Sequence, residues 1–209
     1  MRTSLLLGLC AIAGLLSETP ARAATIVSHT PNLNSFDFTD NRLADDFTLA
    51  HTVYVTGIKF WYQAQLQSDL ASATYALYQD NGGALGALLF SGTATPVTSD
   101  QTDYFLASIG VPGTFLAAGS YWLELHAGTS FTDTNNGLAV YWEASDFVGG
   151  ANALYNSAGS VPDTPVNVAG YNHYAFQITG PVDIPAAPEP SALILTGLGL
   201  MGLALVRLK

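Results

Sequence analysis

Three features of this 209-residue chain predict an all-β fold, an antiparallel β-sandwich of jelly-roll type. Between the two ends no stretch sustains a 3.6-residue apolar period, and short segments alternate apolar and polar residues instead. Turn-forming clusters separate those segments: Asp80-Asn81-Gly82-Gly83, Ala118-Gly119 and Asn135-Asn136-Gly137. Only 11% of residues are charged, so Thr, Ser, Asn, Gln and Gly carry much of the polarity, which suits an extracellular sandwich more than a charged cytosolic domain.

Residues 1–23 read as a signal peptide. Met1 and Arg2 give a positive start and residues 5–16 an apolar core, and Ala21 and Ala23 supply the small residues of an Ala-x-Ala site, with cleavage after Ala23. Cys10, the one cysteine, leaves with this segment, and Leu9 before it is too large for a lipoprotein signal. The mature chain then has no cysteine, which excludes a disulfide scaffold and suits an oxidising space.

Residues 24–184 form the sandwich. Its strands are expected at 25–28, 46–49, 53–62, 74–78, 88–92, 104–108, 120–126, 138–143 and 174–179. Tyr121, Leu123 and Leu125 share one face, opposite Trp122, Glu124 and His126. Ile58, Phe60 and Tyr62 alternate with Lys59 and Trp61, and Tyr174, Phe176 and Ile178 with Ala175, Gln177 and Thr179. Such alternation predicts one buried and one wet face.

Residues 185–209 read as a separate C-terminal signal. Pro188-Glu189-Pro190 precedes an uncharged, Leu/Gly/Ala-rich run at 191–206, and Arg207 and Lys209 close the chain. Sixteen uncharged residues are short for a span of about twenty. With Leu208 added and the cations snorkelling, the run fits a thin bilayer as a transmembrane helix, its basic end cytoplasmic. Pro-Glu-Pro, apolar helix and basic terminus together resemble the PEP-CTERM sorting signal of exported proteins in exopolysaccharide-producing Gram-negative bacteria. That resemblance implies transient inner-membrane anchoring and processing by an exosortase near Pro188, Glu189 and Pro190. The two terminal cations are fewer than in many members.

A second resemblance covers residues 44–145. Ala44-Asp45-Asp46-Phe47-Thr48-Leu49, the strand at 55–62, Leu77-Tyr78-Gln79-Asp80-Asn81-Gly82-Gly83 with Leu85-Gly86, and Ala118-Gly119-Ser120-Tyr121-Trp122-Leu123 are similar to the β-sandwich module found in PEP-CTERM cargo proteins. Leu85 stands where that module commonly has Pro. The resemblance implies a fold and carries no activity.

Charge excludes some functions. Residues 24–190 hold fifteen acidic residues and two basic ones, Arg42 and Lys59, a net −13. Phosphate binding needs clustered cations, so nucleic acid is not an expected partner. The sequence has no G-x-S-x-G elbow, H-E-x-x-H helix or phosphate loop. His29, His51, His126 and His173 are scattered and read as surface or edge residues. Glu124 and Glu143, on neighbouring aromatic-rich strands, are the pair a glycosidase would need, and solvated strand-face acids are the simpler reading.

Two ligand expectations follow. Aromatic rings stack on the apolar faces of sugars, so Trp122, Trp142 and Tyr141 are the expected carbohydrate contacts, with sandwich core as the competing assignment. Calcium is the metal that an exported acidic sandwich suits, and Asp37, Asp40, Asp45 and Asp46 fall within ten residues of one another. Turn-forming, solubilising acids are the alternative. The expectation is an exported, non-enzymatic surface or matrix protein, handled by signal peptidase and exosortase and associated with exopolysaccharide. The alternative is a carbohydrate-binding module.

Overall fold

The computed structural model describes residues 23–134, 139–166 and 172–181. Its strands are β1 (Ala23–His29), β2 (Pro31–Asp37), β3 (Asn41–Leu49), β4 (Val53–Gln63), β5 (Ala73–Asp80), β6 (Leu85–Ala94) and β7 (Val97–Asp100). They continue as β8 (Phe105–Leu116), β9 (Gly119–Ala127), β10 (Tyr141–Ser145), β11 (Leu154–Ser157), β12 (Thr164–Pro165), β13 (His173–Tyr174) and β14 (Phe176–Pro181). A 3-10 turn, Gln67–Asp69, lies between β4 and β5.

These strands make two antiparallel sheets, a β-sandwich. In the first, β1, β14, β4, β8 and β7 lie side by side. β10 joins the end of β4 through Tyr62 and Gln63 and carries β2 and β13. The second sheet runs β12-β11-β3-β9-β5-β6. The chain crosses repeatedly between sheets, so strands far apart in sequence become neighbours.

The inner faces follow the period-two pattern. Ile58, Phe60 and Tyr62 of β4 and Phe176 and Ile178 of β14 pack into one core with Tyr121, Leu123 and Leu125 of β9. Full burial of such a side chain is worth about 1.5–3 kcal/mol. The Asp80 turn shows why the β5–β6 connection needs glycine. Asp80 accepts hydrogen bonds from the amides of Gly82 (3.1 Å) and Gly83 (3.0 Å), which adopt φ of +67° and +89°.

Each of the nine expected strands overlaps an observed one, with two adjustments. The segment at 174–179 breaks at Ala175 into β13 and β14, and the one at 138–143 moves to Tyr141–Ser145. β2, β7, β11 and β12 were not anticipated. Ala23 opens β1 opposite Pro181. Residues 1–22, which include Ala21 and all of the expected signal peptide except Ala23, lie outside the described residues, as do Pro188, Glu189, Pro190, the expected helix after them and the turn at 135–137.

The expectation of a wet outer face fails on β9. Trp122, Glu124 and His126 are all fully buried. Ala151 and Leu154 cover Trp122, and the loop at 128–134 covers His126 through the Asp133 carbonyl, 3.0 Å from Nε2. β9 is the fourth of six strands in the order of its sheet, and irregular chain lies across it as a further layer.

Candidate functional site

β11 accompanies β3 only as far as Ala44, which leaves Asp45 and Asp46 without a strand neighbour on that side. Asp45 pairs with Leu123 across the sheet, in phase with Leu43 and Phe47, so its carboxylate enters the core. An isolated buried carboxylate is expensive. Asp45 is fully buried and engaged at both oxygens. Oδ1 accepts from the Asp46 amide (3.0 Å) and faces His173 Nδ1 (2.8 Å). Oδ2 accepts from the Tyr174 amide (2.8 Å) and faces His29 Nδ1 (3.3 Å).

His29 ends β1 and His173 begins β13, both in the first sheet, whereas Asp45 belongs to the second. The cluster therefore sits at the seam between sheets. His29 stacks on Phe147 (4.0 Å between centroids, 13° between planes) and leans on Phe176 at 4.5 Å. Both imidazoles are buried. Burial pulls the His173 pKa down, but its hydrogen bond to Asp45 and the charges of Asp45 and Asp46 outweigh this, and the net shift is upward.

Asp46 borders the cluster. One of its oxygens accepts from the Ala151 amide at 3.1 Å. The other, Oδ1, is buried without a hydrogen-bond partner, 3.9 Å from His173 Nδ1. Burial first, and then the Asp45 charge, push its pKa up to about 6, against the Ala151 hydrogen bond and the two histidines. Gly150 makes room for it: a Cβ there would lie 2.2 Å from Asp46 Oδ2, and its φ is +75°. A cleft of about 260 Å³, lined in part by Ser28, His29, Asp46, Phe147 and Gly150, opens onto the cluster.

Comparison with known proteins matches the chain to no family model and to no curated relative. The site offers two imidazole nitrogens and a carboxylate within 4.8 Å of one another, with a second carboxylate beside them. Such a set can share protons or hold a cation.

The anticipated site residues fare differently. Trp122 and Trp142 are fully buried, so neither presents a ring to a sugar. Trp142 stacks on Tyr174 at 4.6 Å within the core, and its Nε1 donates to the Ala175 carbonyl (2.8 Å). Trp122 Nε1 donates to Asp80 Oδ1 (2.8 Å). Tyr141 is 37% exposed. Of the four aspartates, Asp45 and Asp46 adjoin one another. Asp37 shapes a turn, accepting from the Thr39 amide at 2.9 Å, whereas Asp45 and Asp46 lie with the histidines at the seam. Asp40 follows that turn, and the Ala158 amide bonds its carbonyl. Nitrogen ligands beside Asp45 do not suit calcium, which takes oxygen.

Glu124 and Glu143 stand on different sheets and do not face one another as an acid–base pair. Glu124 is bonded to Arg42 and to the Tyr78 hydroxyl (2.8 Å). Glu143 is fully buried, and neither carboxylate oxygen has a hydrogen-bond partner. Burial pushes its pKa up to about 7, against the nearby Leu33 backbone and Gln63 side chain.

Three of the four histidines, His29, His126 and His173, are buried rather than at the surface; His51 is exposed. His29 and His173 are 144 residues apart, and no local pattern joins them. One local signal did exist: period-two phasing puts Asp45 in register with Leu43, Phe47 and Leu49, an acid at an apolar position.

Proposed function

We propose that the chain is an exported, non-enzymatic β-sandwich that serves at the cell surface or in an exopolysaccharide matrix. In this reading a signal peptide carries it across the inner membrane. The Pro188-Glu189-Pro190 tail anchors it briefly there until exosortase processing. The observation that carries the reading is the order of Pro188-Glu189-Pro190, an uncharged Leu/Gly/Ala-rich run and a basic end, in a chain that opens with a signal-peptide pattern. The pairing of β1 with β14 is compatible with it, because it sets the first and last described strands side by side in one sheet. A jelly-roll topology is part of the reading. The order β1-β14-β4-β8 facing β3-β9-β5-β6 supports it, because it is the interleaving that two nested Greek keys produce. Mass spectrometry of the exported protein tests the route. A mature chain beginning at Ala24 and ending near 188–191 is expected. An intact Lys209 in a water-soluble outer fraction contradicts it.

A carbohydrate-binding module is the second reading, now on a different surface. A cleft of about 400 Å³ is lined by Phe36, Asp37, Asn41, Leu43, Tyr155 and neighbours, and Tyr155 is 42% exposed. Its size suits a small sugar, with two aromatic rings and polar groups in its lining. Glycan-array binding lost in Tyr155→Ala and kept in Trp122→Phe supports this reading; no glycan bound by the parent chain ends it.

A further inference from the structure

We propose that His29, Asp45 and His173 bind a divalent transition-metal ion of the zinc class, with Asp46 completing the coordination. The donor atoms are already assembled. His29 Nδ1 is 3.3 Å from one oxygen of Asp45, His173 Nδ1 is 2.8 Å from the other, and all three groups lie within 4.8 Å. A tetrahedral ion with bonds of about 2.0–2.2 Å holds its ligand atoms roughly 3.4 Å apart. Small ring and carboxylate rotations reach that spacing.

The surroundings match a ligated site. The Asp46 and Tyr174 amides hold the Asp45 carboxylate in place, the outer-shell support that orients metal ligands. Packing against Phe147 and Phe176 fixes the His29 ring. The independent pointer is Asp46 Oδ1, which is buried, without a hydrogen-bond partner and 3.9 Å from His173 Nδ1. An orphaned buried oxygen beside three ligand atoms is what a fourth ligand looks like before the ion arrives.

Charge and chemistry point the same way. Asp45 and Asp46 bring two buried negative charges. Neither Lys nor Arg of the described sandwich forms an ion pair with them: Arg42 pairs with Glu124, and Lys59 stands in β4, in register with Ser108 and Gln177. A divalent ion with two neutral imidazoles balances the pair. Two nitrogens and two oxygens favour zinc and its neighbours over calcium or magnesium. The cleft beside His29, Asp46 and Gly150 gives an entry path. The bound ion would tie β1, β3 and β13 together across the sheet seam, so its role is a structural clamp on the exported domain.

The test uses the untagged full chain, stripped with chelator and titrated with zinc chloride, cobalt chloride and calcium chloride. One equivalent of zinc is expected to bind and raise the melting midpoint by several degrees, with calcium giving no such rise. Cobalt is expected to give the visible bands of a tetrahedral nitrogen–oxygen site. His29→Gln and Asp46→Asn should each weaken zinc binding at least tenfold, and His51→Gln should leave it unchanged. Failure of zinc to bind or shift melting overturns the proposal. So does wild-type affinity in a folded His29→Gln, or an equal response to calcium. If a ligand variant does not fold, the cobalt spectrum of the parent chain decides alone, and absence of tetrahedral bands rejects the site.

Discussion

Arg42 donates through Nε to Oε1 of Glu124 on the outer face of the second sheet, and both side chains are buried. The pair is embedded further: the Tyr78 hydroxyl donates to Oε2 of Glu124 at 2.8 Å, and the Arg42 guanidinium lies 4.3 Å over the Phe131 ring. A buried ion pair gains little over apolar packing, but removing one partner strands the other charge.

Arg42→Ala or Glu124→Ala should therefore each cost about 3–5 kcal/mol in urea unfolding. The double replacement Arg42→Met with Glu124→Leu should cost far less than the two single losses together. Additive losses would show that the two side chains do not act as a pair.

The tryptophans answer to packing. Trp122→Ala and Trp142→Ala should each cost about 3–5 kcal/mol. Trp122→Phe should cost about 1 kcal/mol, because Asp80 keeps its bonds to Gly82 and Gly83. Acrylamide should quench the fluorescence of the folded chain only weakly, since Trp61, Trp122 and Trp142 are all buried. Strong quenching would mean that at least one ring is open to solvent.

Gly150 and Gly82 separate backbone strain from crowding. Both have positive φ, yet a Cβ at Gly82 meets nothing within 4 Å, whereas one at Gly150 strikes the Asp46 carboxylate. Gly82→Ala should cost about 1–2 kcal/mol, the left-handed backbone alone. Gly150→Ala should cost clearly more, because the Asp46 carboxylate must also move. Equal losses in thermal melts would remove Gly150 from the account of the cluster.

The strands and the inner face were legible because period two registers burial directly, as Leu123 and Leu125 show. The outer face was not, because alternation describes a two-layer sheet and cannot register a third. Trp122, Glu124 and His126 read as a solvent face in sequence, yet the loop at 128–134 and the chain around Ala151 and Leu154 close over them. The cluster was illegible for a different reason. Asp45 betrays itself by its phase in β3, but only the pairing of β1 with β14 and of β13 with β10 brings His29 and His173 to it. That closure spans most of the chain and leaves no local trace.

Glu143 gives the clearest dependence on pH. It is fully buried, and burial raises its pKa from 4.5 to about 7. The folded protein thus keeps a proton that the unfolded chain releases above about pH 4.5. Stability from this group is complete below that pH, falls as pH rises toward 7 and is level beyond it. The full span is worth about 3 kcal/mol. Glu143→Gln keeps the shape and removes the titration, so the variant should match the parent near pH 4 and exceed it by up to about 3 kcal/mol at pH 8. Asp46 and His173 also titrate away from their ordinary ranges, but both chains retain them, so their contribution cancels in the difference. Urea unfolding of parent and variant at half-unit steps from pH 4 to 8 measures that difference, and a difference that stays constant with pH would refute the assignment.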